Sequence, residues 1–200
     1  EYDKFLSLKN VDSRIIKTNY SLFLDQDRTN HPDVKMLGGK YINHDRYYRL
    51  LNNFFSMIEK KYNIDVKIAA HPKSNHKVNY FNNRKIYKYK SAELVKSCDF
   101  VIAEYSTAIS YPILYQKPII FFSTNDIKNN RAQFYAKYLD SKYYNLNNIE
   151  ENEDICYQSV NQDNYKKYKF NYITTEESEN KQTKDIVINF LDDYFVNINN

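Results

Sequence analysis

The chain has 200 residues, enough for one ordinary domain with a sizeable core and few for two. Its 29 basic and 25 acidic residues leave a formal charge of +4 without a long block of one sign. That balance argues against a nucleic-acid binder and leaves weak attraction to anionic lipid or a phosphorylated substrate open; no apolar run approaches the ~20 residues that span a bilayer.

The first strong strand is Tyr20–Leu24, followed by a polar segment from Asp25 to Asp33. Tyr48, Leu51, Phe55 and Ile58, spaced by three and four, predict a helix from about Asp45 to Tyr62. Asp65–Ala70 is a short strand running into His71-Pro72, where the proline ends it. The order then repeats. Lys85–Tyr89 reads as a strand and Ser91–Ser97 as a helix with Ser91 at its N-cap. Phe100–Glu104 is a strand, a helix starts at Ser106 or Thr107 and runs to about Gln116, and Pro118–Phe122 is the next strand.

Short buried strands alternating with helices predict an α/β, Rossmann-like doubly wound parallel sheet with helices on both faces. The expected layout is one domain over 1–200: a lead-in at 1–19, the core sheet at 20–125 and a helical and loop part at 126–200. In that last part Asn130–Leu139 reads as helix, Tyr143–Asn164 mainly as loop, and Thr183–Phe195 as a closing amphipathic helix. Cys98 and Cys156 form no CxxC pair, so buried free thiols in a reducing cytosol are expected.

Ligands of such sheets bind outside the carboxyl ends of the strands, near the switch point. Three polar clusters fall there: Asp25-Gln26-Asp27, His71-Pro72-Lys73-Ser74 and Glu104-Tyr105-Ser106-Thr107. The hydroxyls of Ser106 and Thr107 at a helix start suit a phosphate, and Ser106 also suits a helix cap. His71 can donate to a phosphate or act as a general acid, and Lys73 is a neighbouring cation. Asp25 and Asp27 read as a base or hydroxyl ligand, or as a plain polar turn. Glu104 reads as a ribose ligand or a solvated strand end. His31 can reach the rim, whereas His44 and His76 read as solvated. No cluster has metal-ligand spacing, so no metal or bound cofactor is expected. The absence of GxGxxG, Walker and GxSxG patterns argues against NAD or ATP on such loops and against a serine-hydrolase elbow.

Three features together carry a resemblance: the His71-Pro72 pair, the Ser106-Thr107 pair, and the run from Tyr105 to Phe122 with its Lys117-Pro118. Residues 20 to 125 resemble the carboxyl-terminal domain of two-domain GT-B glycosyltransferases. The likeness is to bacterial capsule and lipopolysaccharide enzymes, including the sialyltransferase and polysialyltransferase families, and CDP-glycerol glycerophosphotransferases share the layout. The resemblance implies a nucleotide-sugar donor, a CMP-sugar being favoured, and a glycan acceptor. His71 and Pro72 would hold the nucleotide, His71 would also assist the leaving phosphate, and Ser106 and Thr107 would bind that phosphate. The transfer would be inverting, in the cytoplasm, with peripheral association at the inner face of the membrane open.

The families take their base from an acidic-acidic-glycine motif in an amino-terminal domain, and this sequence has none before its first strand. The chain starts at Glu1 rather than Met, so the expectation is an excised or truncated domain, with a new role for Asp25 or Asp27 as the alternative. A UDP-sugar epimerase-like enzyme and a non-catalytic interaction domain are the competing functional readings.

Overall fold

The structure, a computed structural model, describes residues 1–30, 42–76, 80–126, 131–150 and 152–198. His31 lies outside the described residues.

Six parallel strands form one sheet: β1 (Tyr20–Leu24), β2 (Asp65–Ala70), β3 (Ile86–Lys88), β4 (Val101–Ala103), β5 (Ile119–Ser123) and β6 (Lys142–Asn145). Their order across the sheet is β3-β2-β1-β4-β5-β6. This is the expected doubly wound arrangement. The chain winds outward from β1 to β3, then returns to place β4 on the other side of β1, so the switch point lies between β1 and β4. Register runs from Tyr20 opposite Asp65 to Leu24 opposite Ala69, and from Leu22 opposite Val101 to Leu24 opposite Ala103.

The central strands are apolar because both faces are covered. Every residue of β1 and β5 is buried. Side chains alternate between two cores: Tyr20, Leu22 and Leu24 point to one, Phe23 to the other. The first core is covered by α3 (Ser91–Ser97), α4 (Ser110–Leu114), α5 (Arg131–Leu139) and α6 (Gln162–Tyr168). The second is covered by α2 (His44–Tyr62), which buries Tyr47, Tyr48, Leu51, Phe54, Phe55 and Ile58. Asn43 caps α2, its side chain accepting from Arg46 N at 2.9 Å, and Asn63 ends it in the left-handed conformation. Phe23, Phe54, Phe55 and Phe122 meet on this face, each burial contributing about 1.5–3 kcal/mol.

Several elements depart from the sequence expectations. A short α1 (Tyr2–Leu8) occupies the lead-in, docked by Phe5 against Tyr115 with ring centroids 5.0 Å apart. The helix expected to start at Ser106 or Thr107 opens as a 3-10 turn, Thr107–Ile109, before α4. Ser91 is the first residue of α3 and not its cap, which is Lys90. β6 and the start of α6 overlap the stretch read as mainly loop. The last helix, α7 (Thr183–Ile198), forms as expected but does not close the domain. Its described residues are exposed, among them Val187, Ile188, Phe190 and Tyr194. Among the described residues no helix is long and apolar enough to cross a membrane.

Candidate functional site

A cavity of about 420 Å³ opens at the carboxyl ends of β1 and β2, bounded by the turn after β4 and the start of α3. Leu24, Ala69 and Ala70 supply strand-end surface, and Asp25, His71, Pro72, Ser106 and Thr107 line it together. These residues are up to 83 positions apart in sequence and meet because parallel strands end on the same side of the sheet.

Each turn around the cavity is tied by its own hydrogen bonds. Asp25 Oδ1 accepts from Asp27 N at 2.9 Å, and Asp27, at φ 49°, accepts from the Asn30 side chain at 3.1 Å. Asp25 Oδ2 faces His76 Nε2 at 2.9 Å and accepts from His71 N at 3.4 Å. Asp25 therefore joins the end of β1 to the turn after β2. That turn closes through Ser74, whose N and Oγ both donate to His71 O, at 2.9 and 2.7 Å. Pro72 at its second position suits the backbone there. His71 Nδ1 accepts from Lys73 N at 3.3 Å, so a neutral imidazole carries its proton on Nε2. Ser106 Oγ accepts from Ala108 N at 3.1 Å, which makes Ser106 the cap of the 3-10 turn, while Thr107 is exposed at the cavity.

Three of the expected residues stand outside the lining. Asp27 is buried in its turn, and Lys73 is exposed beyond the rim. Glu104 is neither a solvated strand end nor open to a ribose. Its carboxylate is buried, with Arg28 Nε and Nη2 both 2.9 Å from Oε1 and Tyr47 Oη donating to Oε2 at 3.3 Å. Burial pushes its carboxyl above the ordinary value, opposed by Arg28 and Tyr47. The Tyr47 hydroxyl is in turn pushed well up by burial and by the Glu104 charge.

Of the two histidines expected in solvent, the side chain of His76 is buried and that of His44 half-buried. The His76 side chain is 4% exposed and packs on Phe81, with Nδ1 lacking a hydrogen-bond partner among the described residues. His44 lies against Tyr48 and Tyr80, ring centroids 4.7 and 4.3 Å away.

Sequence reasoning missed Glu93, Tyr89 and Tyr111, all in the lining. Glu93 pairs with Lys4 at 3.1 Å and Lys90 at 3.6 Å, while Oε2 has no partner among the described residues. Burial alone would raise its carboxyl, but its own backbone amide, Lys4 and Lys90 hold it below the ordinary value. Its position in the first turn of a helix after a strand was the available signal. Among the described residues no group of three or more His, Cys, Asp or Glu is placed to hold a metal ion.

Fold and cavity together define a Rossmann-like α/β domain with a lined crevice at its switch point. No protein-family model and no curated protein matches the sequence. Among solved structures, the chain is similar to the UDP-GlcNAc 2-epimerase of Methanocaldococcus jannaschii in complex with UDP-GlcNAc and UDP, with 14% identity and a TM-score of 0.46. The match covers 82% of this chain and 48% of the epimerase, so the chain spans about half the length of that protein.

Proposed function

We propose that this chain is the nucleotide-sugar-binding domain of a glycosyltransferase that builds a bacterial surface polysaccharide, with a CMP-sugar as donor. The observation that carries the reading is the meeting of His71, Pro72, Ser106 and Thr107 in one cavity at the switch point. The resemblance of the His-Pro and Ser-Thr pairs to sialyltransferase-like enzymes supports the finer assignment. In this reading Nε2–H of His71 donates to the phosphate and then protonates it as it leaves, and Thr107 donates its hydroxyl. Ser106 holds the turn that presents Thr107. Charge developing on the leaving phosphate is stabilised by donors already in place. Glu93 lines the same cavity and offers its carboxylate to a ribose hydroxyl, whereas Glu104 stands outside the lining. Asp25 positions the His71 turn, and Lys73 adds positive charge beyond the rim.

The test is calorimetric titration of the chain with CMP, CDP and UDP, repeated with His71→Ala and Thr107→Val. Each charge-assisted hydrogen bond lost costs about 1.5–3 kcal/mol, roughly ten- to a hundredfold in affinity. The expected result is preference for CMP that weakens in both variants. Preference for UDP moves the reading to an enzyme of UDP-sugars, and a folded chain that binds none of the three refutes it in favour of an interaction domain.

A further inference from the structure

Tyr89 sits between β3 and α3 in a backbone conformation that its β-carbon disfavours. Its φ is 58°, in the left-handed region that glycine enters freely. The side chain does not repay this through packing, for the residue is 72% exposed and belongs to neither core. What the conformation achieves is placement. Tyr89 lines the cavity, and its hydroxyl donates to Pro72 O at 3.3 Å, bridging the start of α3 and the His71 turn. The ring is thus anchored at its tip and held along the rim. A bulky aromatic kept exposed at a strained position beside a cavity is where function, more than stability, explains the backbone.

We propose that Tyr89 is the stacking platform for the nucleobase of the ligand and the residue by which the site takes a nucleotide in preference to a sugar phosphate. This rests on the nucleotide-binding reading above. The donors His71 and Thr107 suit a phosphate and the Glu93 carboxylate suits a hydroxyl, which leaves the flat apolar part of a nucleotide without a partner in those assignments. Tyr89 supplies it. Every base has a π-face, so stacking is tolerant of base identity. The platform therefore adds affinity for cytidine and uridine nucleotides alike, and any preference between them comes from contacts to the edge of the base.

The chain contains no tryptophan, which provides a direct readout. Tyr89→Trp places a single indole on the rim. Its emission should change saturably with CMP and stay constant with ribose 5-phosphate. By calorimetry, Tyr89→Ala should lose roughly five- to a hundredfold in CMP affinity while ribose 5-phosphate binds as before, and Tyr89→Phe should keep most CMP affinity. Tyr89→Gly removes the ring and relieves the strain. It should melt no lower than the natural chain while losing CMP as Tyr89→Ala does, which separates lost stacking from lost folding. If the natural chain binds CMP and Tyr89→Ala binds it equally well, the stacking assignment falls and the nucleotide-binding reading stands. If the natural chain binds none of CMP, CDP and UDP, both fall.

Discussion

Glu104 directly follows β4 with its side chain 3% exposed, and its partners are few enough to count. Arg28 Nε and Nη2 both donate to the same oxygen, Oε1, leaving Oε2 with Tyr47 alone among the described residues, at 3.3 Å. Arg28→Met keeps the aliphatic reach and removes the charge. Breaking a buried pair from one side costs about 3–5 kcal/mol, because the remaining carboxylate is uncompensated. The Arg28 side chain is 26% exposed, so water reaches this pair and the lower end, about 3 kcal/mol, is expected. For a chain of this size that is a fall of roughly 6–12 °C in Tm, read by thermal melting at pH 7. Adding Glu104→Gln removes the stranded charge and should restore most of the loss. The pH dependence follows from the raised carboxyl. The folded state holds that proton more tightly than the unfolded chain, so ionisation penalises the fold above the folded pKa. The penalty fades as pH falls towards the unfolded value of 4.5. Loss of Arg28 raises the folded pKa further, so the deficit of Arg28→Met relative to the natural chain should shrink from pH 7 to pH 5. A deficit below about 1 kcal/mol at pH 7, or one that does not change with pH, would refute the buried-pair account.

Two further outcomes follow from the same geometry. Burial pushes the Cys98 thiol up to about 12, whereas Cys156 is only half-buried, so a thiol reagent at pH 8 should label one cysteine quickly in the native chain and both in denaturant; two fast thiols in the native chain count against the packing around Cys98. His76→Phe keeps a ring against Phe81 but removes the partner 2.9 Å from Asp25, and should cost about 1–3 kcal/mol and lower CMP affinity with it. Unchanged melting and unchanged affinity would show that the pair does not hold the His71 turn.

The core strands were legible because each is a short, largely apolar run that ends in polar residues or a proline, and that order in turn places the strand ends that build the cavity. The β6 strand was not: Lys142–Asn145 is a polar edge strand whose pairing with β5 supplies what its side chains do not. The α1 helix, with Phe5 its one buried residue, is held by tertiary bonds, including Lys96 Nζ to the carbonyls of Leu8 and Val11. The α6 helix hides its apolar face in two tyrosines, Tyr165 and Tyr168. At the site, His71 and the Ser106-Thr107 pair could be read from their place after strands. The burial of His76 could not, since it depends on Asp25, 51 positions earlier. Arg28 is likewise 76 positions from Glu104, and a strand-end carboxylate looks the same in sequence whether it meets a ligand or an arginine.

The division of labour around the cavity bears on where its affinity would originate. Asp25, Ser74 and Ser106 spend their side chains on backbone groups of the three turns, and Glu104 and Arg28 neutralise each other beneath them. The groups assigned to ligand are therefore carried on turns already closed, so binding need not order the backbone first. Ordering loops and side chains is a main cost of association, and a site that avoids it retains more of its contact energy as affinity. This keeps the proposed nucleotide contacts on one domain. Donor binding by this chain alone is therefore the property on which the functional reading stands or falls.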